Sequence, residues 1–101
     1  MEHARVIYRI LRALSFMASC EEPPMGRLSP EALGCTPEMR DSMLVVLAKA
    51  GHVDGVEWEQ WADNTRTVRL SHPAITLSGI TYLATDPAML AESRRAQGIE
   101  G

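Results

Sequence analysis

The sequence predicts an α+β domain, mainly α-helical, with three helices, a two-stranded antiparallel hairpin and further helices at the C-terminal end. Three observations carry this reading. Apolar residues in the N-terminal half recur at helical spacing. Two of the breaks there have one grammar, Ser29-Pro30-Glu31 and Thr36-Pro37-Glu38, in which a hydroxyl residue caps and a proline opens a helix. After Gly51 the period shortens to strand-like alternation. Two helices joined around a glycine form a helix-turn-helix, and a hairpin behind them forms a wing. The expected class is therefore a winged helix-turn-helix, as a single domain over residues 1–101.

The first helix is expected over residues 3–19. Ile7, Ile10, Leu11, Leu14, Met17 and Ala18 share one face, while Arg5, Arg9 and Arg12 lie opposite, joined on that side by Phe16. The arginine stripe reads as a solvated face, or as a docking surface for an acidic partner or a phosphate backbone. Phe16 is either covered by the next segment or marks a contact surface. Cys20 to Gly26 (CEEPPMG) breaks the helix. The second helix runs from Ser29 to Leu33 and stops at Gly34; the third starts at Thr36 and ends at Ala50 before Gly51.

Val53–Trp61 and Thr65–Leu70 read as the two strands, turning at Ala62-Asp63-Asn64-Thr65, with His72-Pro73 ending the second. Val56, Trp58, Val68 and Leu70 share the face expected to pack on Leu44 and Leu47, and Glu57 and Glu59 face outward near Thr67 and Arg69. Thr76 caps a short helix carrying Leu77, Ile80 and Leu83. Asp86-Pro87 opens the last helix, which runs to about Gln97.

Composition bounds the function. A chain of 101 residues, 46% hydrophobic and 23% charged, matches one ordinary folded domain. Thirteen acids against ten bases give a formal charge of −3, the reverse of the usual excess in nucleic-acid binders. Cys20 and Cys35 lie outside any CxxC or Cys/His cluster, which leaves a disulfide or, with no export signal in view, two reduced thiols. The charged start (Glu2, His3, Arg5) lacks an apolar leader core, and no apolar run reaches membrane-spanning length, so the expectation is a cytoplasmic protein with no membrane partner. His3, His52 and His72 are scattered, and no GxSxG, GxGxxG or phosphate-loop segment occurs. The chain is accordingly not expected to be an enzyme, and no cofactor, metal site or small-molecule substrate is expected.

The segment Leu44-Val45-Val46-Leu47-Ala48-Lys49-Ala50-Gly51-His52-Val53-Asp54-Gly55 resembles the LxxLxxxGxIxG pattern of winged-helix proteins. Ile75-Thr76-Leu77-Ser78-Gly79-Ile80-Thr81-Tyr82-Leu83 resembles the ITxxGxxYL element that follows the wing in many of them. With an opening like ViYriLraL, order and spacing are similar to the phage-derived YjcQ-like family over residues 4–85. The resemblance implies a winged-helix fold and a phage or prophage origin, and brings no catalytic residues.

Two functional readings follow. Most winged helices place the third helix in a DNA groove, which would engage Arg40, Lys49, Arg66 and Arg69 here. Yet the outward positions of that helix read as Glu38, Asp41, Ser42, Val45 and Lys49, a poor set for reading bases. The other reading is protein–protein binding through exposed apolar residues: Met39, Val45 and Val46 on the third helix, Trp61 near the wing tip, and Phe16. It is favoured over a DNA-binding regulator, and a homodimer through the first or last helix fits either. By analogy with other phage proteins, such a module regulates or inhibits a host complex, a defence system for example.

Overall fold

The computed structural model describes residues 2–98. Its elements run α1 (Glu2–Met17), a 3₁₀ turn (Met25–Leu28), α2 (Pro30–Leu33), α3 (Pro37–Lys49), β1 (Val53–Gln60), β2 (Arg66–Ile75), α4 (Leu77–Thr85) and α5 (Pro87–Ala96). This is an α+β winged helix, with the two strands as an antiparallel ribbon and helices at both ends.

The expected caps form. Ser29 Oγ accepts from Ala32 N, Thr36 Oγ1 from Met39 N, Thr76 Oγ1 from Gly79 N and Asp86 Oδ2 from Ala88 N and Met89 N. Each satisfies a helix-terminal donor that would otherwise face water unpaired. The core is built around α1, whose Val6, Ile10, Leu11, Leu14 and Met17 meet Leu33, Met43, Leu44 and Leu47 of the helix-turn-helix, Val53 at the wing base and Met89 of α5. The break after α1 is less open than expected. Its Pro-Gly segment closes into the 3₁₀ turn and buries Leu28 completely.

The ribbon departs from a regular ladder in one place. Val53 pairs with Ile75 and Asp54 with Ala74, whereas Val56 pairs with Leu70, so Ser71, His72 and Pro73 stand opposite Gly55 alone. The second strand thus continues past His72-Pro73 to Ile75, contrary to expectation. The bulge accommodates the proline, which cannot donate to a ladder, and carries Gly55 and His72 at φ +83 and +51. A Cβ on Gly55 would stand 2.5 Å from the Ser71 carbonyl oxygen.

Beyond the bulge the pairing keeps the expected faces together: Val56 pairs with Leu70 and Trp58 with Val68, and Glu57 with Arg69 and Glu59 with Thr67. Val56, Val68 and Leu70 pack against the core as expected, but only half-buried. Trp58 is not: it stays 38% exposed. Its face is right, but burial falls along β1 from Val53 outward, from buried at the base to exposed from Glu57 on.

Candidate interaction surface

The wing is held at its base by α4. Thr76 Oγ1 donates to the Gly51 carbonyl (2.6 Å), Thr76 N donates to the His52 carbonyl (3.0 Å), and the His52 ring stacks on Tyr82 with centroids 4.7 Å apart. His52 Nδ1 also shares a 2.8 Å hydrogen bond with Ser78 Oγ. Gly79 lies so close that a Cβ there would overlap the His52 carbonyl oxygen and stand 2.8 Å from Ile75 Cγ1. The Thr-x-x-Gly-x-x-Tyr spacing thus has a mechanical meaning: cap, close approach and ring stack fall on successive turns of α4. Burial, with a smaller contribution from nearby Asp86, raises the Tyr82 pKa above the ordinary phenol value.

The tip is organised differently. Asp63 Oδ1 accepts from Thr65 N (3.1 Å) and Thr65 Oγ1 (2.6 Å), and Asn64 takes φ +69 to close the turn. These hydrogen bonds, led by the one from the Thr65 side chain, hold the Asp63 carboxyl below its ordinary pKa of 3.8. Trp61 is 51% exposed; its indole Nε1 donates to Thr67 Oγ1 (3.0 Å) across the turn, so the ring lies along the outer face while its surface stays open. Glu57, Glu59, Thr67 and Arg69 adjoin it in a shallow depression of about 500 Å³ that also reaches Val56 and Trp58.

The third helix needs a correction. Val45, expected to face outward, is 3% exposed. α3 packs against α1, α2 and β1, and enclosure on more than one side widens its buried arc to include Met43, Leu44, Val45 and Leu47. Val46 alone among its large apolar residues stays open, at 49%. Met39, expected among the exposed contact residues, is instead half-buried against the core. Phe16 is 45% exposed, with the Arg27 guanidinium 4.1 Å above its ring, so the following segment covers it in part.

Three of the four residues assigned to a DNA-binding alternative have acids beside them. Arg40 is turned inward, donating through Nε to the Leu28 carbonyl (3.0 Å) and through a terminal nitrogen to Asp41 (3.0 Å). Lys49 is exposed at the C-terminal end of α3. Arg66 lies with Asn64 and Thr65 against Glu38, Asp41 and Ser42, placing the wing tip beside acids at the N-terminal end of α3. Arg69 stands opposite Glu57 in the ribbon.

Cys20 and Cys35 are half-buried thiols. Among the described residues no group of His, Cys, Asp and Glu could hold a metal ion, and no helix is long and apolar enough to cross a membrane.

Fold and surface define a small winged-helix protein whose large exposed aromatics stand mainly on its wing. The family model described as YjcQ protein matches residues 8–96, and the chain belongs to that family, which is phage- and prophage-associated. No curated protein and no solved structure matches the chain.

Proposed function

We propose that this phage-related protein is a non-catalytic interaction module that binds another protein through its wing. One observation carries the reading: both tryptophans of the chain stand on the ribbon, and neither is buried. An exposed indole contributes little to the stability of the free monomer. At an interface it supplies large apolar area with few rotamers to freeze, and tryptophan is the residue most enriched among interface anchors. Val46 is a further exposed apolar side chain, on α3, while Glu57, Glu59 and Arg69 supply a polar rim to the tryptophans. The partner is a host protein or a second copy of the chain, and the module acts as a regulator or inhibitor of the complex it joins.

The experiment compares wild-type protein with Trp61→Ser and Val46→Ser, each immobilised and exposed to host extract, with sedimentation of the purified chains in parallel. Stoichiometric capture of one partner, or self-association, should be lost in Trp61→Ser at an unchanged melting temperature. Nanomolar binding to one duplex sequence, abolished by Arg66→Ala or Arg69→Ala, would instead establish the DNA-binding reading.

A further inference from the structure

We propose that the arginine side of α1 is a second, separate binding surface, a shallow cleft that takes single-stranded nucleic acid. The cleft encloses about 620 Å³; Tyr8, Arg9, Arg12, Phe16 and Arg27 line it above a floor that includes Leu33, and no acidic side chain is among its lining residues. Between His3 and Met17, α1 carries three arginines and no acid. The net charge of −3 is a poor guide to the cleft lining, because six of the thirteen acids sit on α3 and the wing, as Glu38 and Asp41 and as Asp54, Glu57, Glu59 and Asp63; Glu21, Glu22 and Glu31 are closer to the cleft in sequence but do not line it.

Two of the guanidiniums are already positioned. Arg9 donates to the Leu33 carbonyl at 2.9 Å, and Arg27 stacks on Phe16 at 4.1 Å, which leaves its in-plane donors directed away from the ring. Arg12 is exposed and forms no ion pair among the described residues. Pre-positioned guanidinium forks lose less side-chain freedom on meeting an oxyanion, and phosphate matches their geometry.

The aromatics decide the class of ligand. Tyr8 stands among the arginines and Phe16 carries the Arg27 guanidinium on one face; bases offer planar faces to stack on a ring or on a guanidinium plane, whereas the carboxylates of an acidic peptide do not. Rings set in a concave cleft are reached by unpaired bases and not by those stacked inside a duplex. Nothing in this surface uses α3 or the wing, so it stands or falls independently of the protein-binding reading.

The test is fluorescence anisotropy with a labelled oligothymidylate of about twelve nucleotides, within the span of known single-strand sites. A duplex of the same length and a polyglutamate peptide serve as competing ligands. The oligothymidylate should bind best, with log affinity falling against log salt at a slope of about −2, as three neutralised phosphates require. Arg12→Glu and Arg27→Glu should each weaken binding at least tenfold, and Phe16→Leu severalfold although it removes no charge. Arg69→Glu, on the wing, should leave oligothymidylate binding unchanged whatever it does to capture of a protein partner. Melting temperatures identify any variant that fails to fold, and exposed Phe16 and Arg12 are the two decisive positions. Absence of oligothymidylate binding at low salt would overturn the proposal. So would equal or tighter binding of the duplex or the peptide, or indifference to Phe16→Leu.

Discussion

The two ends of one ribbon are built by different rules. At its base, Val53 is buried, Gly55 and Gly79 admit backbones at distances no side chain would permit, and Thr76, His52 and Tyr82 tie the strands to α4. At its tip, two tryptophans stay open and the turn is held by hydrogen bonds of its own. The difference teaches that alternation in a strand tells which face a residue occupies, whereas depth depends on what other elements pack over that face. The base contributes stability; the tip contributes surface.

That contrast breaks most readily at Gly79. Gly79→Ala should destabilise the fold by about 3 kcal/mol or more, since backbone and not a flexible side-chain end blocks the new methyl. Denaturant titration reads this, and a loss under about 1 kcal/mol would mean that α4 can shift away from His52 without cost. Thr76→Ala comes next. It removes the α4 cap and the bond to the Gly51 carbonyl together, for about 1–2 kcal/mol, or a melting shift of several degrees in a domain of this size.

Trp58→Ala sharpens the comparison. Truncating a fully buried large aromatic costs about 3–5 kcal/mol, but at the observed exposure the loss should be nearer 1 kcal/mol. A loss in the upper range would place Trp58 in the core. The smallest effect belongs to the turn. A carboxyl whose folded pKa is depressed contributes stability that is present above its unfolded value and lost as pH falls through the folded one. Asp63 should therefore titrate below 3.8, followed by its side-chain carbonyl resonance, and Thr65→Ala should return it toward that value.

Much of this fold was legible because its signals are local. The caps at Ser29, Thr36, Thr76 and Asp86 need only neighbouring residues, and all four form. The faces of the strand residues were legible from alternation, and the Thr-Gly-Tyr element from its resemblance to the family's. What escaped depends on other elements. Val45 is covered because α3 has packed neighbours on more than one side, which a helical wheel with one apolar arc does not register. Arg9 reads as a free surface charge and Arg40 as a candidate phosphate contact, yet both reach carbonyls on other elements, at Leu33 and Leu28. The extension of β2 past Pro73 requires a bulge opposite Gly55, and the glycine was its one visible sign. Of the candidate contact residues, Trp61, Val46 and Phe16 are exposed and Val45 is not; Trp58 joins them because its burial depended on a depth that alternation does not encode.

Since both tryptophans of the chain lie on the wing, their fluorescence reports on the wing alone. Acrylamide quenching of the free protein tests most directly whether the tip is open surface, with Trp58→Phe and Trp61→Phe separating the two signals. The account predicts ready quenching and red-shifted emission from each indole, Trp61 more than Trp58, in a protein that melts cooperatively. Blue-shifted emission resistant to quenching from either residue would show that the wing folds back onto the body, and the contact surface proposed for it would lose its foundation.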